Sequence, residues 1–159
     1  MTVCSYSVVP IWNQIRRFSA LERPAQGLFL RASVLLPLIS ISFRLCGFRK
    51  TKALLENFLS APDGSQIPAR AALTAQMVRA AGRHGMGHPN CLKIALAIWW
   101  LLARQGIACD LRVGVRKDGG KFEAHAWIEC GGVVLSDPES RHDYAAFDAA
   151  LASFPRERR

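Results

Sequence analysis

Cys91 stands where a thiol could act as a nucleophile. It follows a glycine-rich loop, GRHGMGHPN (82–90), and opens the segment with the clearest helical pattern, residues 91–106. A thiol at a helix N-terminus faces unpaired backbone N–H groups and the positive end of the helix dipole, and both favour the nucleophilic thiolate. The same N–H groups are suited to hold an oxyanion. The position therefore predicts a nucleophile that attacks a carbonyl group.

Two residues further along the chain could complete the chemistry. A nucleophilic cysteine needs a base, usually histidine, and the base needs a carboxylate or amide to orient it. His125 lies in the middle of a predicted strand, on the face opposite its apolar residues, and Asp137 ends the next predicted strand. If the turn at 131–132 sets the register, the two side chains lie side by side. We therefore predict a set of nucleophile, base and orienting residue in Cys91, His125 and Asp137.

Each of these residues also has a purely structural interpretation. A single cysteine at the start of a helix is commonly a small buried apolar residue, and His125 could be a hydrogen-bonded strand histidine. Asp137 precedes Pro138, and Asp-Pro favours turns. Only the combination of the three, in the order helix, strand, strand, favours catalysis.

Other uses of the polar residues are less well supported. His84, His88 and Cys91 form H-x3-H-x2-C, but the intervening glycines and Pro89 prevent a helix there, and zinc would need a fourth ligand. We expect no metal site. The glycine-rich loop lacks the Lys-Ser/Thr ending of a phosphate-binding loop. Nucleic-acid binding would be supported by charge alone, so we expect none.

Apolar periodicity predicts an α+β domain that positions these residues. Helical spacing is found at 48–60, 69–83 and 91–106, and the period changes to two after Gly106. The alternation predicts a nucleophile helix packed on an antiparallel sheet, preceded by an N-terminal helical segment. The predicted strands are 107–117, 121–130 and 133–137, joined by turns at 118–120 and 131–132, and a short closing helix is predicted at 142–153.

Charge is distributed unevenly along the 159 residues. The formal net charge is +9, from 21 basic and 12 acidic residues, and residues 1–52 contain eight of the basic residues and one acid. A turn-rich break, APDGSQIP (61–68), separates this segment from the rest. We therefore expect a basic, apolar N-terminal helical segment at 1–60 and the main domain at 61–159.

The N-terminal segment is apolar but does not resemble a membrane span. Its uncharged run, 32–43, has 12 residues, whereas a spanning helix needs about 20. Pro37 lies in this run and is expected to kink or stop a helix. We expect helix packed on the main domain, with Arg31 and Arg44 at its margins. A basic amphipathic surface for a membrane or an acidic partner is the alternative, and it is compatible with this packing.

The cysteines give no disulfide pattern. There are five, they are far apart, and no CxxC is present. We expect a reduced, cytoplasmic protein, in which Cys109 and Cys130 are structural residues of the strands.

The run from His88 to Asp137 resembles a known family. Its elements HP-x-CL, GV-R, HAW-E and L-x-D are together similar to the leader peptidases of lasso-peptide biosynthesis, the microcin-processing-type B proteins of the transglutaminase-like cysteine protease superfamily. The resemblance implies a papain-like core and a triad that falls on Cys91, His125 and Asp137. It also implies that the enzyme removes the leader from a ribosomally made precursor peptide.

The resemblance has implications for partners as well. This chain is similar to the stand-alone form, which works with a separate leader-recognition protein and an asparagine-synthetase-like cyclase. ATP dependence is implied by the family, although the sequence has no nucleotide-binding motif. An acyl transferase or deamidase on the same fold, and a non-catalytic scaffold that binds the precursor, remain as alternatives.

Overall fold

The computed structural model describes residues 22–59, 68–84, 89–118, 120–135 and 144–146. Within these residues, three helices precede a small antiparallel sheet, which confirms the predicted α+β class. The helices are α1 (Arg23–Glu56), α2 (Pro68–His84) and α3 (Cys91–Ala103), and the strands are β1 (Asp110–Asp118), β2 (Lys121–Cys130), β3 (Val133–Val134) and β4 (Ala145–Ala146).

Helix α1 is longer than the sequence pattern predicts. It runs through Pro37, so of the two effects expected of this proline, a kink or a stop, the stop was wrong. Leu36 and Ile39, on either side of the proline, are buried in the core, and this packing holds the helix together where one backbone hydrogen bond is lost. The backbone instead leaves helical geometry at Gly47, where φ is +72°. The segment predicted at 48–60 is therefore the last part of α1, after this break.

Helix α1 packs against α2 and α3, as predicted for the N-terminal segment. Five of its buried residues belong to the same core as those of the other helices: Ala32, Leu35, Leu36, Ile39 and Leu55. Arg31 and Arg44 are both exposed. By length and mean hydropathy, 1.7 over its most apolar window, α1 is the one helix of the described residues that could cross a bilayer. The buried face of α1 packs against α2 and α3.

Helix α3 is the centre of the molecule. Eight of its 13 residues are buried, because it packs against α1 and α2 and also against β2. Trp99 and Leu96 are fully buried within it. Two side chains hold the end of α3 to the end of α1: the Trp100 indole N–H donates to the carbonyl of Leu55, and Arg104, just after α3, donates to the carbonyl of Phe58, just after α1.

The sheet has four strands in the order β3-β2-β1-β4. The hairpin of β1 and β2 is paired along its full length, with Gly114 opposite His125. Residues 145–146 pair with Gly114 and Val115 as an edge strand. The predicted closing helix at 142–153 was therefore wrong at 144–146, and the rest of it lies outside the described residues. The third predicted strand, 133–137, is observed as β3 at 133–134, and residues 136–143 are not described.

A disulfide joins Cys109 and Cys130, which corrects the expectation that all cysteines are reduced. Since Asp110 pairs with Glu129, the preceding and following cysteines face each other across the hairpin, 4.4 Å apart at Cα. This separation is typical of a directly opposed pair in an antiparallel sheet. Cys46 and Cys91 are free.

We expect reduction of this disulfide to lower the free energy of unfolding by about 3 kcal/mol, because the bond closes a loop in the unfolded chain. The two cysteines are 21 residues apart. Urea unfolding of the oxidised protein with and without a thiol reductant measures the effect. A Cys109→Ser, Cys130→Ser variant should not respond to the reductant. An unfolding midpoint that reductant leaves unchanged in the parent protein would contradict the expectation.

Candidate active site

Cys91 is the first residue of α3, as predicted. Asn90 caps the helix: its side-chain Oδ1 accepts a hydrogen bond from the backbone N–H of Lys93, at 3.1 Å. Capping leaves the backbone N–H groups of the first two helical residues without a partner in the helix. Cys91 itself is half-buried, with a free thiol. The helix start thus offers a nucleophile beside N–H groups that can hold an oxyanion.

A glycine on α2 helps to position this helix start. Gly82 is buried, and a Cβ at this position would lie 3.4 Å from Pro89 Cγ and from Ile94 Cδ1. Pro89 and Ile94 lie on either side of Cys91 in the chain. Close packing of the C-terminal part of α2 against both residues therefore restrains the backbone around the thiol.

His125 lies in the middle of β2, as predicted, and is half-buried. Two aromatic rings contact its imidazole. The ring of Trp127 is nearly parallel to it, with the centroids 6.3 Å apart, and the ring of Tyr144 is tilted, with the centroids 5.2 Å apart. These contacts restrict the orientation of the imidazole, which a general base requires.

Tyr144 is a member of the site that the sequence analysis missed. Its ring lies beneath the guanidinium of Arg116, 4.9 Å from Cζ to the centroid, and its hydroxyl lies 3.5 Å from Glu123 Oε2. Arg116 also donates to the same oxygen, at 2.6 Å. Arg116 and Glu123 face each other across the hairpin, so the hairpin positions the tyrosine that contacts His125. No sequence signal distinguishes Tyr144, because its position depends on the pairing of β4.

The sheet places His125 and the core on opposite faces. Ala126 and Ile128 belong to the core that contains α3, and alternate side chains of a strand point to opposite faces. His125 and Trp127 therefore project from the other face. Cys91 packs against the core, so a contact between its thiol and His125 has to form around an edge or end of β2. In the described part of the chain, Cys91 packs against core side chains, whereas His125 contacts Trp127 and Tyr144.

The third predicted residue, Asp137, lies outside the described residues. The chain approaches it along β2: Glu129 pairs with Val134, and the N–H of Leu135 donates to the carbonyl of Ile128, at 2.9 Å. At Leu135 the chain thus runs antiparallel to β2 and in the direction of His125. Of the alternative metal ligands, His84 is exposed at the end of α2 and His88 is not described.

A family model described as the transglutaminase-like superfamily matches residues 35–148. The chain belongs to this superfamily. The match begins inside α1 and ends just beyond β4, so it includes Cys91, His125 and Asp137. No curated protein and no solved structure matches the chain. Membership of the transglutaminase-like superfamily indicates chemistry of the cysteine protease or acyltransferase type.

Gly114 leaves space for the indole of Trp127 and for β4 in this transglutaminase-like site. A Cβ at this position would lie 2.8 Å from the carbonyl oxygen of Ala145 and 2.9 Å from Trp127 Cη2, so β4 or the indole would have to move. We expect Gly114→Ala to lower the free energy of unfolding by about 1–3 kcal/mol, the usual cost of overpacking. Urea denaturation measures the change.

Gly27→Ala is the matched control. Gly27 lies within α1 and has open space around its Cα, so alanine should raise the free energy of unfolding by up to about 1 kcal/mol through helix propensity. Equal effects of the two substitutions would show that Gly114 is not needed for close packing.

Proposed function

We propose that this transglutaminase-like chain is a cysteine peptidase that removes the leader from a ribosomally made lasso precursor peptide. The observation that carries the proposal is the capped start of α3, which presents the free thiol of Cys91 beside backbone N–H groups. The elements HP-x-CL, GV-R, HAW-E and L-x-D support the lasso-type assignment.

In the proposed mechanism, His125 takes the proton of the Cys91 thiol as sulfur attacks the scissile carbonyl. N–H groups of the first turn of α3 hold the oxyanion. The tetrahedral intermediate collapses to a thioester, and His125 returns the proton to the leaving amine. Water, deprotonated by His125, then hydrolyses the thioester and frees the thiol.

Asp137 orients the imidazole in this mechanism and stabilises its protonated form. The mechanism requires the thiol to reach His125 around β2, and the contacts with Trp127 and Tyr144 hold the ring ready for it. We further propose that the reaction takes place in the cytoplasm, where ribosomes make the precursor; the Cys109–Cys130 disulfide does not support this location, since disulfides are rare there. ATP dependence rests on the family resemblance alone.

The resemblance to the stand-alone form of the lasso leader peptidases supports separate partners for this reaction. A separate recognition protein would bind the leader and orient the scissile bond at Cys91, and orientation alone can lower a barrier by several kcal/mol. An asparagine-synthetase-like cyclase would then close the released core peptide into the lasso ring.

The test is cleavage of a lasso precursor by the purified chain, with and without the recognition protein and at low and high salt. We expect slow cleavage alone and strong acceleration by the partner, with the released core peptide identified by mass spectrometry. Equally fast cleavage by the isolated chain would refute the need for a partner. Acceleration that salt does not affect would exclude electrostatic docking through the basic N-terminal segment.

Two other functions fit the same fold. An acyl transferase would join the acyl group to an added amine, and a deamidase would convert glutamine to glutamate, so both are distinguished by product mass. A non-catalytic scaffold would not cleave the precursor at all, and it would still bind the precursor after alkylation of Cys91.

A further inference from the structure

Helix α1 has a second apolar face that nothing in the described part of the chain covers. Five large apolar residues recur along it at intervals of three and four: Leu30, Val34, Leu38, Ile41 and Leu45. They are between 54% and 78% exposed. At about 100° per residue they span an arc of about 80°, and with a rise of about 1.5 Å per residue they form a stripe about 22 Å long. We call this set the outer stripe.

The outer stripe lies opposite the face of α1 that is packed in the core. Ala32, Leu35 and Ile39 are buried against the other helices, about 100–160° from the centre of the stripe by helical geometry. A helix that is apolar on both faces needs apolar surroundings on both. Because one face is already inside the protein, α1 cannot be surrounded by lipid as a spanning helix is.

Positive charge borders the outer stripe. Arg31 and Arg44 are exposed and lie about 60° and about 80° to either side of its centre. Helix α1 contains no acidic residue before its last position, Glu56. Arg49 and Lys50, both exposed, continue the basic border beyond the break at Gly47.

Three arginines line an opening beside one end of the outer stripe. A cavity of about 290 Å³ is lined by Arg23 and Arg31 of α1 and Arg70 of α2, with the apolar side chains of Leu28 and Leu73 beside them. An opening that combines several guanidinium groups with an apolar wall suits a phosphate attached to an acyl chain, since arginine binds phosphate through paired N–H donors.

From this arrangement we propose that the outer stripe of α1 docks on the surface of an anionic lipid bilayer. The apolar residues enter the boundary between headgroups and acyl chains, and the bordering arginines bind lipid phosphates. A second copy of the chain fits less well, because an isologous pair of these helices would bring the same basic residues together without acids between them. The proposal is independent of the peptidase function.

Cosedimentation of the full chain with vesicles tests the docking. We expect binding to vesicles of phosphatidylglycerol and phosphatidylcholine at low salt, weaker binding at high salt, and little binding to phosphatidylcholine alone. Val34→Gln with Leu38→Gln should abolish binding, and each of Arg23→Gln, Arg31→Gln and Arg70→Gln should weaken it about fivefold. Both glutamine positions of the first variant are exposed, so the fold should be kept.

The matched control is Phe122→Gln with Val133→Gln, which removes two exposed apolar side chains from the sheet. This variant should bind vesicles like the parent. Any one of these results would overturn the proposal: no sedimentation with anionic vesicles, equal loss in the control variant, or self-association by light scattering that Val34→Gln with Leu38→Gln abolishes. Release from the vesicles by millimolar inorganic phosphate would also overturn it, since the cavity would then select free phosphate over the bilayer.

Discussion

Cys91→Ala should abolish precursor cleavage, with a loss of at least about 10³-fold, because the proposed mechanism forms its thioester on Cys91. The substitution should leave the fold intact, since Cys91 is only half-buried and alanine is well accepted in a helix. Cleavage of the precursor under single-turnover conditions, followed by mass spectrometry, measures the loss. Circular dichroism checks the fold.

Cys46→Ala is the matched control for the nucleophile. Cys46 is also a free thiol but is exposed on α1, so its removal should leave the cleavage rate close to that of the parent. Alkylation by iodoacetamide should inactivate the parent and the Cys46→Ala variant alike, in step with modification of Cys91. Substantial cleavage by Cys91→Ala would remove the peptidase proposal altogether.

His125→Ala should be nearly as damaging as loss of the thiol, again about 10³-fold or more, because the nucleophile and its base act as a unit. Asp137→Asn should retain more activity, roughly 10–100-fold above that of His125→Ala, since an amide can still orient the ring. The rates of the two variants in the same cleavage assay test this order.

His84→Ala controls for the loss of a histidine elsewhere. His84 is exposed at the end of α2, so its replacement should not alter the rate. An active His125→Ala variant would show that another group acts as the base, and the ring contacts of Trp127 and Tyr144 would then hold His125 for a structural purpose. An Asp137→Asn variant as inactive as His125→Ala would indicate that the charge of the carboxylate is required.

The parts of the fold that could be predicted from sequence are those with a long, regular pattern. Helices α2 and α3 and the hairpin of β1 and β2 begin and end within a few residues of their predicted limits, because each repeats its apolar period several times. Strand β4 has two residues, Ala145 and Ala146, which is too short to show a period. The course of α1 through Pro37 depends on packing against α2 and α3, and local preferences do not contain that information.

The same distinction holds for the site. Cys91 and His125 could be proposed because a helix start and the alternation of a strand are local signals. The contacts of Tyr144, and the pairing of Cys109 with Cys130, depend on the register between distant segments, and a list of cysteine spacings does not specify it. The sheet face on which His125 lies agrees with the predicted alternation. Whether Asp137 orients it stays a prediction.

The central position of α3 has a consequence for heat inactivation. This helix carries Cys91 at its start and is buried against helices on one side and the sheet on the other, so its backbone amides should exchange with solvent only when the whole domain opens. Loss of the nucleophile's position and loss of the fold are then one event. Core substitutions in α3 should therefore reduce the number of active molecules at a given temperature, while each molecule that remains folded turns over at the parent rate.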